Sequence, residues 1–255
     1  PEAAATTLGD YAAEMASLGF NMNFGPVADV GSGSDLGSRS FGDDPSVVSS
    51  FNEAIIGAQQ QAGITSVLKH WPGIGGGSSD PHLSLDSLAD LETLRAKDLV
   101  PFDRAIAAGV PAIMVAHATV PGLTAEDEPA SLSRAAITDE LRGRQGFDGL
   151  VITDSLGMGA VVNTTPQAEA AERAVAAGAD IALLSGGDVV EEAHARLPDA
   201  ITSGRIPSEQ VTESVRRVLA AKGIEGECLG LAANFAALQP TDEVTGTTST
   251  DGSTS

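Results

Sequence analysis

Cysteine is almost absent from this chain of 255 residues: Cys228 stands alone, which excludes an internal disulfide and any multi-cysteine metal knot. Basic residues are scarce, 14 Lys and Arg against 35 Asp and Glu, and the formal charge of −21 repels phosphate backbones and anionic headgroups. No nucleic-acid partner is expected, and most of the acidity reads as a solvated, salt-tolerant surface. No apolar run reaches the roughly 20 residues of a membrane helix, so no membrane-spanning segment is expected. A basic-then-apolar leader is missing too, but the chain starts at Pro1 rather than Met, so that lack says nothing about export. No Gly-x-Gly-x-x-Gly follows the first strand, and no Gly-Lys-Ser/Thr follows Gly73, Gly75, Gly76 and Gly77, which removes both phosphate cradles. Thr153 stands where a serine-hydrolase elbow at Ser155 needs glycine.

What is present is an alternation. The 42% apolar content suffices to bury a large core. Apolar spacing predicts helices over 2–19, Pro45–Ala62, Ala89–Ala108, Ser133–Leu141 and Pro166–Ala177, with two more before Lys222. Between them lie strands over 20–30, Ile64–Leu68, Ala112–Ala116, Leu150–Thr153 and Ile181–Leu184. Five apolar strands alternating with helices imply a parallel sheet in an α/β fold. Residues 240–255 are nearly all Thr, Ser, Gly and acidic, a composition expected to stay disordered.

Polar residues fall where these strands end. Asp29, Lys69, His70, His117, Asp154 and Ser185 each close a strand, and in a parallel barrel all such ends open on one face. Asp154 follows a run of buried β-formers, which suits a rigid carboxylate; as a bare pattern it equally suits a helix cap. Lys69 and His70, followed by Trp71, offer donors for hydroxyls and an aromatic face for a sugar ring. In the long loop 74–86, Asp80 stands two residues before His82, close enough to hold one ring nitrogen and favour a proton-donating imidazole. A Gly-rich loop is able to bring that donor to a bound substrate. The same sequence leaves a rival open, in which His70, His117, Asp80, His82 and Asp154 gather a divalent metal for hydrolysis.

The segments Asn23-Phe24-Gly25-Pro26-Val27-Ala28-Asp29-Val30, Ser38-Arg39-Ser40-Phe41-Gly42-Asp43-Asp44-Pro45, Lys69-His70-Trp71-Pro72-Gly73, Asp80-Pro81-His82 and Ile152-Thr153-Asp154-Ser155-Leu156-Gly157-Met158 resemble, in order and spacing, glycoside hydrolase family 3 and its β-N-acetylglucosaminidase branch. The resemblance runs from about residue 8 to residue 224. It implies a TIM-type (β/α)₈ barrel over 1–224, followed by a C-terminal extension over 225–255. It further implies Asp154 as the nucleophile of a double displacement, His82 as acid/base assisted by Asp80, and Arg39, Lys69, His70, Asp29, His117 and Met158 on the sugar. The substrate implied is terminal β-linked N-acetylglucosamine from peptidoglycan fragments, with no cofactor and no metal. A secreted or cell-envelope setting is expected over a cytoplasmic one. The Asp-x-His pair favours this branch over the family's β-glucosidases, and a non-catalytic sugar-binding barrel is the remaining alternative. Ile74 and Pro81 depart from the family pattern, which has histidine and serine there. The resemblance also leads one to expect a barrel lacking both its first two strands and their Asp-Gln-Glu-Gly-Gly-like turn, which supplies a sugar-binding aspartate.

Overall fold

The computed structural model describes residues 1–33 and 36–224. Cys228 and the expected tail from about 240 lie outside the described residues. Helix α1 (Glu2–Ser17) packs on α2 (Pro45–Gln61). Asp44 starts α2 by accepting the Ser46 N–H at 2.8 Å, and Pro45 sits in the first turn, where an N–H has no partner to lose. Val48, Asn52, Ile55, Ile56 and Gln59 form the buried face of α2 at helical spacing.

Between these helices β1 is only Met22–Asn23. The strand expected over 20–30 is shortened because Pro26 has no N–H for a ladder, and pairing returns only as a Val27–Lys69 bridge. Strand β2 (Thr65–Trp71) instead runs past its expected end to include Lys69 and His70. Strand β3 (Asp86–Ser87) follows, then α3 (Leu91–Ala96) and α4 (Val100–Ala107). One helix was expected over 89–108. It divides because Lys97 leaves helical angles (φ −136°, ψ −67°) and Pro101 cannot donate to a preceding turn. Next come β4 (Ala112–Val115) and β5 (Ala118–Thr119). In place of an α-helix over 133–141 the chain forms a π-helix, Ala135–Arg144, closed by the Gln145 N–H on the Glu140 carbonyl at 2.9 Å. Apolar spacing does not separate i+4 from i+5 winding in so short a segment. Strand β6 (Leu150–Thr153) has its expected bounds. The rest is helical: α5 (Gly159–Val162), α6 (Gln167–Ala177), α7 (Gly187–Thr202) and α8 (Ser208–Ala221).

The sheet runs β1-β2-β4-β6, every pair parallel, with β4 and β6 in unbroken register from Ala112–Leu150 to Val115–Thr153. The fifth expected strand, 181–184, joins by a single Ile152–Ile181 bridge. Its ladder stops because Leu183 donates to the Thr153 Oγ1, at 3.0 Å, in place of a backbone carbonyl. A second parallel pair, β3 with β5, was not anticipated. Alternation divides the sheet's faces. Val67, Met114 and Ile152 meet Ile181, Leu183 and, from α8, Val218 and Ala221 on one side. Leu68, Ile113, Val115 and Val151 join Leu99, Phe102, Ile137, Leu141 and Ala174 under the helices on the other. The architecture is α/β, a stretch of barrel wall of the (β/α)₈ type, and the sheet does not close among the described residues.

Candidate active site

The register of β2 on β4 shifts between Leu68 and Trp71, so one extra residue bulges out at Lys69-His70. Bulges re-aim side chains at strand ends. His70 turns its Nδ1 to the Asp29 Oδ2 at 2.7 Å, and the other Asp29 oxygen accepts the His70 and Ile74 N–H groups at 3.3 and 2.8 Å. Asp29 is fully buried, so its carboxylate has no face for a ligand and serves to orient His70. Trp71 corrects the reading of a sugar-stacking ring. It is wholly buried beneath the helices, with its Nε1–H on the Gln145 Oε1 at 2.7 Å, because the bulge sends it to the helix-covered face.

Asp154 ends β6, its N–H on the Val115 carbonyl at 2.9 Å and its Oδ1 on the Ser155 N–H at 2.7 Å. It does not cap the next helix, since α5 begins after Met158 with no side-chain cap. Lys69 lies within the field of Asp154, Arg39 and Asp29. Burial pushes the Lys69 ammonium below its usual range, the Asp154 carboxylate opposes this, and Arg39 adds to it. Lys69 is thus the group on which the charges of Asp154, Arg39 and Asp29 all act.

His117 is buried, with Nε2 on the Ser155 carbonyl at 2.9 Å and Nδ1 on the Ser131 Oγ at 2.7 Å. The carbonyl only accepts, so Nε2 carries the hydrogen and Nδ1 accepts the hydroxyl. Burial pushes the imidazole's pKa down, which keeps it neutral. With both nitrogens committed, His117 braces the segment behind Asp154 and offers a sugar nothing directly. Ser185, exposed, is held by Gln167 and packs against Gly157.

The Asp80–His82 pair forms on its loop. The His82 Nδ1 lies 2.8 Å from the Asp80 Oδ1, which also accepts the His82 N–H at 2.8 Å. The His82 backbone N–H, then its ring, holds the Asp80 carboxyl below the usual carboxylate range, so Asp80 stays ionised at neutral pH. The imidazole side chain is 59% exposed. The loop is tied at its far end by Asp86, whose oxygens accept the N–H groups of Ser78, Ser79 and Ser87 at 2.7 to 3.0 Å. Burial raises that carboxyl's pKa, but these bonds outweigh it and leave the group low. The glycines before the dyad serve close backbone crossing. A Cβ at Gly75 would stand 2.2 Å from the Val30 carbonyl oxygen, and one at Gly33 2.9 Å from that of Ile74. Among the described residues no three His, Cys, Asp or Glu side chains are grouped to hold a metal ion, so the five residues of the metal reading are not assembled as one.

Ser131, Asp86 and Gln167 were not anticipated. Ser131 and Gln167 act on residues 14 and 18 positions away, and Asp86 acts within its own loop, where no spacing rule marks it.

The sequence profile of the glycosyl hydrolase family 3 N-terminal domain matches residues 1–221. The chain belongs to glycoside hydrolase family 3. Among family 3 relatives, the β-hexosaminidase LpqI of Mycobacterium tuberculosis is 39% identical over 227 residues, 86% of this chain and 58% of that protein. A β-hexosaminidase of Xylella fastidiosa is 40% identical over 184 residues, 71% of this chain and 54% of the relative. The chain thus spans little more than half the length of these curated relatives. Of solved structures, M. tuberculosis LpqI superposes with a TM-score of 0.83 at 38% identity, covering 89% of this chain and 68% of that one. A family 3 β-N-acetylglucosaminidase from Paenibacillus superposes with a TM-score of 0.84 at 35% identity, covering 97% and 47%.

Proposed function

We propose that the protein is a retaining glycosidase that removes terminal β-linked N-acetylglucosamine, with peptidoglycan fragments as its substrate. The observation that supports this most is the intact Asp80–His82 dyad, a largely exposed imidazole with Nδ1 fixed by a carboxylate, on a loop tied beside the Asp154 segment. Relatives named as β-hexosaminidases support the aminosugar over the glucoside. Family membership and the charges of Asp154, Arg39 and Asp29 gathered around Lys69 favour a catalytic site over a mere sugar-binding one.

In the first step an Asp154 oxygen bonds to the anomeric carbon as the glycosidic C–O bond breaks, and the His82 Nε2–H passes its proton to the departing oxygen. In the second, His82 takes a proton from water, whose oxygen bonds to the anomeric carbon as the bond to Asp154 breaks. Arg39, Lys69 and Met158 line the sugar's place, while His70 is aimed by Asp29. Two carboxylates normally do this work. Here ionised Asp80 supplies the charge that lets an imidazole act as donor.

Asp154→Asn keeps shape and removes the nucleophile, so turnover falls at least about a thousandfold. A slow-releasing fluoro-sugar labels Asp154 in the parent protein, as read by peptide mass spectrometry. Near-parental turnover of Asp154→Asn, or label on another residue, refutes the assignment.

A further inference from the structure

Three successive carbonyls of the dyad loop, those of Pro81, His82 and Leu83, are all taken by the segment that follows Asp154. Ala160 N–H donates to the Pro81 oxygen at 3.1 Å, Gly159 N–H to that of His82 at 3.0 Å, and the Asn163 Nδ2 to that of Leu83 at 2.9 Å. Apolar packing covers little of the loop tip, because His82, Leu83 and Ser84 are exposed and Leu83 has 71% of its surface in solvent. Apolar burial therefore does not anchor the loop tip, and backbone hydrogen bonds must. The approach is close enough to require glycine: a Cβ at Gly159 would stand 2.6 Å from the Leu83 oxygen and 2.7 Å from that of His82. On its other side the docking segment is firm, since Leu156, Met158, Ala160 and Val161 are buried and Leu156 N–H is bonded to the Leu183 carbonyl.

We infer that Gly159 and Asn163 are positioning residues that set the distance between the Asp80–His82 dyad and Asp154, by docking the carbonyls of the dyad loop on the segment leaving the nucleophile. Neither touches substrate. Their effect passes through the place of His82, so the inference rests on the reading of His82 as the proton donor. A displaced donor slows only a reaction that needs its proton, and misplacement by about 1 Å costs on the order of a hundredfold.

The test compares glycosyl-enzyme formation from an activated aryl β-N-acetylglucosaminide, whose phenol leaves unaided, with that from a disaccharide, whose alkoxide must be protonated. Gly159→Ala, which pushes the loop outward, slows the disaccharide roughly 10- to 100-fold and the aryl glycoside by less than about threefold. Asn163→Asp, isosteric but without the N–H, behaves likewise at about 3- to 10-fold, and Asn163→Gln restores most of the loss. Amide exchange at residues 159–160 rises in the first two variants, and their melting temperatures stay within a few degrees of the parent. His82→Ala, measured alongside, separates the two ideas. If it slows both substrates equally, the proton-donor reading falls and this inference with it. If it spares the aryl glycoside as expected, but Gly159→Ala and Asn163→Asp leave the disaccharide rate unchanged or slow both substrates alike, docking does not position the dyad and the inference alone is overturned.

Discussion

Asp98 gives the sharpest stability test. It lies under the turn that leaves β2, so close that a Cβ at Gly73 would sit 2.8 Å from its own Cβ. Only 5% of it is exposed, and its Oδ1 has no hydrogen-bond partner among the described residues. Burial, partly countered by Lys97 and reinforced by the Asp29 charge, lifts its pKa from 3.8 to about 6. In the unfolded chain the carboxyl returns to its ordinary value. The folded state therefore binds the extra proton, and stability falls as pH rises between the two pKa values and levels off above about 6. At about 1.4 kcal/mol per tenfold change in proton affinity, the full penalty at neutral pH is about 3 kcal/mol. Asp98→Asn keeps the shape and never ionises. Urea unfolding of the full chain at a series of pH values between 3.5 and 7.5 then shows the variant's stability gaining on the parent's by about 3 kcal/mol across that window. The amide's own hydrogen-bonding needs shift the whole curve, so the slope and not the offset is the signature. Parallel curves for parent and variant across the window refute the claim that burial raises the Asp98 pKa.

Other outcomes follow from packing and charge. The Asp180 side chain is fully buried between Arg142 and Arg217, at 2.7 and 3.2 Å, and also accepts the Val151 N–H; Asp180→Ala strands two largely buried guanidinium groups and costs about 3–5 kcal/mol in urea unfolding, whereas a loss under 1 kcal/mol shows the pairs contribute nothing. Gly75→Ala forces a Cβ against the Val30 backbone and lowers stability by more than about 1–3 kcal/mol, checked by thermal melt, since backbone on both sides has no rotamer to yield. His117→Ala empties a buried site and frees the Ser155 carbonyl and Ser131 hydroxyl, so it lowers both the melting temperature and turnover; unchanged turnover shows that the Asp154 segment needs no brace.

Much of the architecture was legible because apolar period is a local property. The ends of β6 were readable since Leu150 to Thr153 is a short buried run with its polar partner next in line, and α2 was readable because Asp44-Pro45 marks a helix start. Where Pro26 and Pro101 intervene, the period alone misled, because a missing N–H ends a ladder or a helix whatever the side-chain pattern says. The Asp80–His82 contact was legible for the same reason that it is local. The strand-end rule gathered Asp29, Lys69, His70, His117 and Asp154 as a group, but not their separate duties.

By itself, then, the sequence determined the alternation of strands and helices, the order of the family 3 segments and the pairing of groups a few residues apart, all of which depend on neighbours along the chain. Only the tertiary structure decided which strand-end groups are spent on one another. Asp29 is sealed behind His70, His117 is closed by Ser131 and Ser155, and Trp71 turns to the core, while the dyad loop finds its place on Gly159 and Asn163. Each of those outcomes is set by burial and by hydrogen-bond partners distant in sequence, and burial is a property of the packed fold that a one-dimensional pattern does not contain.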